Sequence, residues 1–176
     1  MNFKIEKSEI LYRGKVFDLK VDEIVYNSGS KGIREIAVHP GGVVVVPVKE
    51  DDKIIMITQF RYPLNKVMLE FPAGKLDKGE DPFNCAIREL EEETGYRTGN
   101  VVKLGAISTP PGFCTEVLHL YLAKDLISGS HKREEGEEGM EVFEFTLNEI
   151  EMKIKKGEIT DAKTICAFYL VKSYLK

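Results

Sequence analysis

The chain has 176 residues, enough for one domain with an appendage but cramped for two full domains. Hydrophobic residues make up 43% of it, so a packed core can form and a wholly disordered chain is excluded. Its 25 Lys and Arg against 29 Asp and Glu give a net charge of −4, which disfavours binding to nucleic acid.

The cysteines, Cys85, Cys114 and Cys166, form no Cys-x-x-Cys pair, so neither a zinc ribbon nor a disulfide framework is supported. The N-terminus has no apolar signal core. The longest apolar stretch, residues 41–48, is far shorter than the ~20 residues that span a bilayer. We therefore expect a soluble, cytoplasmic protein without a membrane partner.

The first part of the chain is typical of strands joined by turns, and the break at residues 39–42 (His-Pro-Gly-Gly) predicts a boundary. We expect an N-terminal β segment over residues 1–38 and a second domain over residues 39–176. Residues 43–48 are a β-branched run, typical of a strand buried on both faces. In chain order, strands are predicted at residues 9–12, 16–26, 33–38, 43–48, 54–60, 67–71, 101–107, 117–122 and 141–146.

The clearest predicted helix covers residues 80–94. Its apolar residues recur at helical spacing, and Gly95 is a suitable stop. An acid-rich loop over residues 128–139 and helices over residues 149–155 and 160–174 follow. Because strands and helices are interspersed, the fold class is α/β or α+β. The predicted apolar stripe of the first helix consists of Phe83, Ala86, Ile87 and Leu90.

Acidic side chains concentrate at the end of this helix. Glu89 and Glu93 lie four residues apart, away from the predicted apolar stripe, and Glu92 flanks them. Like charges at this spacing repel, and a divalent cation would reverse the sign of the interaction. The carboxylates therefore suit Mg²⁺ or Mn²⁺, which prefer oxygen ligands. A solvated acidic helix face is the alternative.

The wider spacing separates these alternatives. Gly74 is followed by five residues and Glu80, then by seven residues and the sequence Arg-Glu-Leu-Glu-Glu-Glu-Thr-Gly-Tyr over residues 88–96. This resembles the Nudix box, Gly-x5-Glu-x7-Arg-Glu-U-x-Glu-Glu-x-Gly-U, where U is a bulky apolar residue. Tyr96 departs from the aliphatic residue that is commoner at the last position.

The resemblance implies an α/β/α sandwich with a mixed β-sheet and hydrolysis of a nucleoside diphosphate linked to another moiety. It also implies that Mg²⁺ or Mn²⁺ is bound by Glu89, Glu92 and Glu93, with the Ala73 carbonyl as a further ligand. By the same resemblance, Arg88 and Glu80 are structural partners.

Features outside the box resemble the ADP-ribose pyrophosphatase subgroup. They are Pro111, sixteen residues after Gly95, and the segments at residues 59–62 (Gln-Phe-Arg-Tyr), 69–74 (Leu-Glu-Phe-Pro-Ala-Gly) and 157–164 (Gly-Glu-Ile-Thr-Asp-Ala-Lys-Thr). The subgroup implies Mg²⁺-dependent hydrolysis of ADP-ribose to AMP and ribose 5-phosphate.

By this resemblance, substrate contacts come from Arg34, Arg61 and Glu116, with Pro111 and Gly112. An arginine fork suits phosphate or ribose oxygens. Surface salt bridges and a simple Pro-Gly turn are the alternatives for these residues.

The base that accepts the proton of the attacking water is, in this subgroup, a glutamate on an acidic loop before a strand. Glu138 fits that place first and Glu137 second. The alternative is a solvated acidic loop.

Two other functions remain open from the sequence. One is hydrolysis of another nucleoside diphosphate derivative, such as a nucleotide sugar or flavin dinucleotide. The other is a non-catalytic ADP-ribose sensor. The subgroup also implies a homodimer in which the N-terminal segment is swapped and Arg34 serves the partner's site.

Overall fold

The structure is a computed structural model that describes residues 2–131 and 139–175. Its internal contacts divide the chain into two compact units. The N-terminal unit consists of Met1–Gly41 and Ser108–Val117, and the main unit consists of Gly42–Ile107 and Leu118–Lys176. The predicted boundary at residue 38 did not include the segment 108–117 with the N-terminal strands.

The N-terminal unit is built on an antiparallel sheet in the order β1-β2-β3. A tight turn joins β2 to β3: Gly29 adopts a φ of 85°, and Tyr26 N donates to Ser30 O at 2.9 Å. The predicted turn between these two strands is therefore confirmed, and the strands form a hairpin. Its strands are β1 Phe3–Arg13, β2 Asp18–Tyr26 and β3 Lys31–Val38.

The segment 108–117 belongs to this unit because it pairs with the end of β3. Ala37 N donates to Phe113 O at 2.7 Å, and Thr115 N donates to Ala37 O at 3.0 Å. These bonds satisfy backbone groups of β3 that β2 does not reach.

The main unit contains a sheet in the order β7-β4-β10-β9. Strand β4 runs parallel to β10 and antiparallel to β7, so the sheet is mixed, as expected. Its strands are β4 Gly42–Pro47, β7 Ala73–Lys75, β9 Asn100–Ser108 and β10 Val117–Lys124.

The valine run of β4 is buried on both faces, which confirms the sequence prediction. Val44 and Val46 pack with residues of helices α2 Leu147–Lys155 and α3 Ala162–Tyr174. Val43 and Val45 pack with helix α1 Pro82–Thr94. The main unit therefore has helix, sheet and helix layers, because successive strand side chains point to opposite faces.

A second sheet of the main unit consists, in spatial order, of β12 Val142–Phe145, β5 Ile54–Arg61 and β6 Lys66–Glu70. In addition, β11 Ile127–Ser128 pairs with β8 Tyr96–Arg97. Across the described residues, no helix is long and apolar enough to cross a membrane. A 3-10 turn at Tyr62–Leu64 joins β5 to β6.

Candidate active site

Helix α1 is held at both ends by its own sequence. Asp81 accepts a hydrogen bond from Phe83 N at 2.9 Å, and Pro82 occupies the first helical position. Gly95 ends the helix in the left-handed region, with a φ of 76°. The helix thus begins two residues later than the predicted residue 80.

The buried face of α1 differs from the predicted stripe. Phe83 is exposed, whereas Glu89 and Glu93 are buried, at 8% and 1% exposure. The two glutamates therefore share the inner face with Leu90, and their placement away from the apolar face was wrong. Burying a carboxylate is costly unless it has polar partners.

The carboxylate of Glu89 lies against the backbone of Gly74. A methyl group added at Gly74 would lie 1.7 Å from Glu89 Oε1 and 1.8 Å from its Cδ, which is well inside atomic contact. Only glycine leaves room for the carboxylate at this point, which explains the first residue of the box physically.

The carboxylate of Glu93 contacts Ala73, which precedes Gly74 in β7. Ala73 N donates to Glu93 Oε2 at 2.9 Å. This bond holds the backbone nitrogen of Ala73, the residue whose carbonyl is the predicted metal ligand, against the carboxylate of Glu93.

Arg88 joins the remaining carboxylates of the cluster. Its Nη1 lies 2.8 Å from Glu89 Oε1 and 3.0 Å from Glu92 Oε2. Its Nε and Nη2 donate to the two oxygens of Glu80, each at 2.9 Å. The predicted structural pairing of Arg88 with Glu80 thus agrees with the geometry.

These ion pairs shift the ionisation of the groups involved. Hydrogen bonds from Arg88 lower the pKa of Glu80 to about 2, and the pKa of Arg88 is raised mainly by the same bonds. Burial raises the pKa of the neighbouring Cys85 thiol to about 12, so that thiol stays protonated at neutral pH.

The donor set suits a hard divalent cation. Glu89 and Glu93 present carboxylates on one helix face, the Ala73–Gly74 backbone lies against them, and Glu92 is joined to Glu89 through Arg88. In this arrangement no three His, Cys, Asp or Glu side chains of the described ranges converge on one point. Arg88 holds Glu92 and Glu89 by one nitrogen, so metal binding requires these side chains to reorient.

A second ionic cluster lies in the same unit and contains Arg61. Arg61 forms a two-pronged ion pair with Glu70, with Nε to Oε1 at 2.9 Å and Nη2 to Oε2 at 2.5 Å. Lys163 Nζ contacts the same Oε2 and also lies 2.9 Å from Asp161 Oδ2. Glu70 is 1% exposed, and these two cations pair with its buried charge.

The first turn of α3 also contacts the chain between the two clusters. Phe71 N donates to Thr164 Oγ1 at 3.0 Å, and Asp161 caps the helix by accepting from Thr164 N at 3.0 Å. The sequence segments 69–74 and 157–164 were identified only by resemblance and no role was predicted for Glu70, Lys163 or Thr164. A charged residue closing an apolar strand, as Glu70 does, was the available signal.

Arg34 lies on β3 in the N-terminal unit and is exposed. Its Nη2 donates to Tyr26 Oη at 2.5 Å, and its guanidinium carbon lies 6.0 Å from the centre of the Tyr26 ring. The side chain is thus positioned by an aromatic neighbour on β2. Its contact with substrate stays a prediction.

Glu116, Pro111 and Gly112 lie in the segment 108–117 of the same unit. Glu116 Oε2 accepts from Thr109 Oγ1 at 2.6 Å, and its Oε1 lies 3.4 Å from His39 Nδ1. Pro111 and Gly112 are exposed in the intervening turn. Glu138 and Glu137, the predicted bases, lie outside the described residues.

Comparisons with known proteins agree with the fold and with the sequence resemblance. A protein from Bacillus subtilis (strain 168) named ADP-ribose pyrophosphatase is 45% identical over 160 residues, covering 90% of this chain and 86% of the relative. A Bacillus methanolicus protein named Methanol dehydrogenase activator is 43% identical over 169 residues, covering 93% and 89%.

A solved structure described as "Crystal structure of ADP compounds hydrolase" matches with a TM-score of 0.88 at 22% identity. The match covers 99% of this chain and 95% of that chain, which confirms the expected fold. The NUDIX domain matches residues 38–168. The chain therefore belongs to the NUDIX domain family of hydrolases.

Proposed function

We propose that the protein hydrolyses the pyrophosphate bond of ADP-ribose, with Mg²⁺ as cofactor, and releases AMP and ribose 5-phosphate. The observation that carries this proposal is the pair of buried carboxylates, Glu89 and Glu93, held against the Ala73–Gly74 backbone. The substrate is inferred from the activity for which the Bacillus subtilis relative is named.

Glu89, Glu92 and Glu93, with the Ala73 carbonyl, are the groups proposed to hold the cation. Mg²⁺ would neutralise charge on the phosphoryl oxygens and lower the pKa of bound water. Mn²⁺ has the same ligand preferences and is expected to substitute.

The side chains supply the remaining chemistry. Glu138, or else Glu137, accepts the proton of the water that attacks phosphorus, and the bridging phosphorus–oxygen bond breaks to give the two monophosphates. Arg61 contacts the diphosphate, with Arg34, Glu116, Pro111 and Gly112 as further substrate contacts. Placement in the cytoplasm stays a prediction.

Glu93→Gln is the most direct test of the proposed centre. The amide oxygen can still accept the bond from Ala73 N, whereas the charge that would bind the cation is lost. We expect kcat for ADP-ribose to fall by about 10²-fold or more, measured by chromatography of AMP in Mg²⁺.

Glu91→Gln is the matched control, because Glu91 lies on the same helix but pairs with Arg97 at 2.7 Å. It removes the same charge and should leave kcat within about twofold. Equal activity of the wild type and Glu93→Gln would contradict the proposal. Glu138→Gln and Glu137→Gln in the same assay identify the base.

A panel of nucleotide sugars and flavin dinucleotide, run beside ADP-ribose, tests the substrate class. If another compound of the panel had a higher kcat/KM than ADP-ribose, that compound would be the preferred substrate and the proposal for ADP-ribose would be wrong. Tight ADP-ribose binding by calorimetry without turnover in Mg²⁺ would instead indicate a sensor.

A further inference from the structure

The cluster around Glu70 is a row of alternating charges, Arg61, Glu70, Lys163 and Asp161. The side chains of Lys163 and Glu70 are 12% and 1% exposed, whereas that of Arg61 is 35% exposed. Arg61 is therefore the end of the row that solvent and an anion can reach.

Arg61 and Lys163 share the negative charge of Glu70, and this sharing determines how much positive charge Arg61 can offer to an anion. Both Arg61 and Lys163 contact the Oε2 oxygen of Glu70. Arg61 therefore does not hold this oxygen alone, because Lys163 competes for it while Asp161 pairs with Lys163 from the other side. Without Lys163, both oxygens of Glu70 would pair with Arg61 alone. The two charges would then neutralise each other, because ion pairs at partly buried sites are only weakly screened by water.

We propose that Lys163 is a positioning residue that keeps the guanidinium of Arg61 available to bind a diphosphate, by drawing the Glu70 carboxylate toward itself. The inference rests on the proposed function for the identity of the substrate, but the diphosphate itself is sufficient to test it. Lys163 lies 102 positions after Arg61 in the chain, and it acts through Glu70 rather than by touching the substrate.

Binding of inorganic pyrophosphate, measured by titration calorimetry in Mg²⁺, reads this effect without turnover. Lys163→Met should weaken binding by about tenfold, which is near 1.4 kcal/mol, and Lys163→Arg should restore it. In steady state, the same change should appear in KM for ADP-ribose, with kcat within about threefold.

Lys172→Met is the matched control. Lys172 lies on the same helix and pairs with a glutamate, Glu151, at 2.6 Å. Its replacement removes the same charge and a similar ion pair and should leave pyrophosphate affinity unchanged. An equal loss in Lys172→Met and Lys163→Met would overturn the inference, because a general charge effect would then explain both.

Two further variants separate positioning from a purely structural role. In an Arg61→Gln background, Lys163→Met should cause no additional loss of pyrophosphate affinity, whereas a structural role would add one. Asp161→Asn keeps a helix cap and releases Lys163 from its second carboxylate, so affinity should rise by about threefold. Weaker or unchanged binding in Asp161→Asn overturns the proposal even if Lys163→Met does not fold.

The outcomes also separate this inference from the proposed function. A wild type that binds pyrophosphate in a Lys163-dependent way but does not cleave ADP-ribose supports the inference and refutes the function. If the wild type cleaves ADP-ribose and Lys163→Met binds pyrophosphate as tightly as the wild type does, the function is supported and the inference is refuted.

Discussion

Gly74 is tightly confined by a side chain from another element. Because a Cβ there would lie 1.7 Å from Glu89 Oε1, Gly74→Ala must displace that carboxylate. We expect kcat for ADP-ribose to fall by about 10²-fold, since small misplacements of catalytic groups have effects of this size. The half-saturating Mg²⁺ concentration should rise as well.

Gly99→Ala is the control for this substitution, because a Cβ at Gly99 would have no atom within 4 Å beyond its own chain neighbours. Its activity should match the wild type. Circular dichroism melting distinguishes displacement from unfolding, and an active Gly74→Ala enzyme would show that the Glu89 carboxylate does not need its present position.

At the same scale, the sequence predicts the box glutamates as ligands but does not predict which side chains surround them. Glu89 and Glu93 follow from a local pattern within one helix, although their burial does not, because helical spacing reports apolar faces and not buried charge. Glu70 and Lys163 are 93 positions apart, and no local pattern in a single sequence pairs them.

At the scale of the element, the junction between α1 and the preceding loop depends on the charge of Glu80. Its pKa is lowered to about 2 by Arg88, whereas the unfolded chain takes up the proton near 4.5. The ion pair therefore stabilises the fold fully above pH 4.5, and its contribution is lost as the pH falls toward 2.

Glu80→Gln should be less stable than the wild type at pH 7 by about 1–2 kcal/mol in urea unfolding, since the carboxylate is partly exposed to solvent. The difference should narrow below pH 4.5. Glu158→Gln removes an exposed pair with Lys153 and should change stability little at any of these pH values. A constant difference for Glu80→Gln from pH 7 to pH 3.5 would contradict the assignment.

Element boundaries were predicted where a cap or a long apolar run marks them. Apart from β1, which begins at Phe3 and not at the predicted residue 9, the long strands and the three α-helices of the described residues were expected within a few positions. The short strands β7, β8 and β11 were not, because two or three residues carry no periodicity and are strands only through their partners. Thr146 caps α2 in a capping box with Glu149, which places its start before the predicted residue 149.

For the whole molecule, the N-terminal unit exposes large apolar side chains that a single chain leaves in water. They supply the reason to test the proposed homodimer, since exposed apolar patches mark interaction surfaces. Light scattering should return about twice the 19.9 kDa of one chain. These side chains are Ile5, Ile10, Leu11, Tyr12, Val16, Phe17 and Ile33.

Leu11→Glu should shift the protein toward monomer at micromolar concentration, because it places a charge in the proposed interface. Met152→Glu on α2 makes the same kind of replacement at a similarly exposed apolar residue, 51% against 59%, and should leave the mass unchanged. A monomeric wild type would refute the homodimer.

The hydrogen bond from Phe71 N to Thr164 Oγ1 spans 93 positions of the chain. During synthesis Phe71 leaves the ribosome 93 residues ahead of Thr164, so its backbone amide cannot form this hydrogen bond until the first turn of α3 has been made. A nascent chain that stops before residue 161 would contain every residue of the box. It would still lack Thr164, whose hydroxyl holds the backbone of Phe71 just ahead of the box.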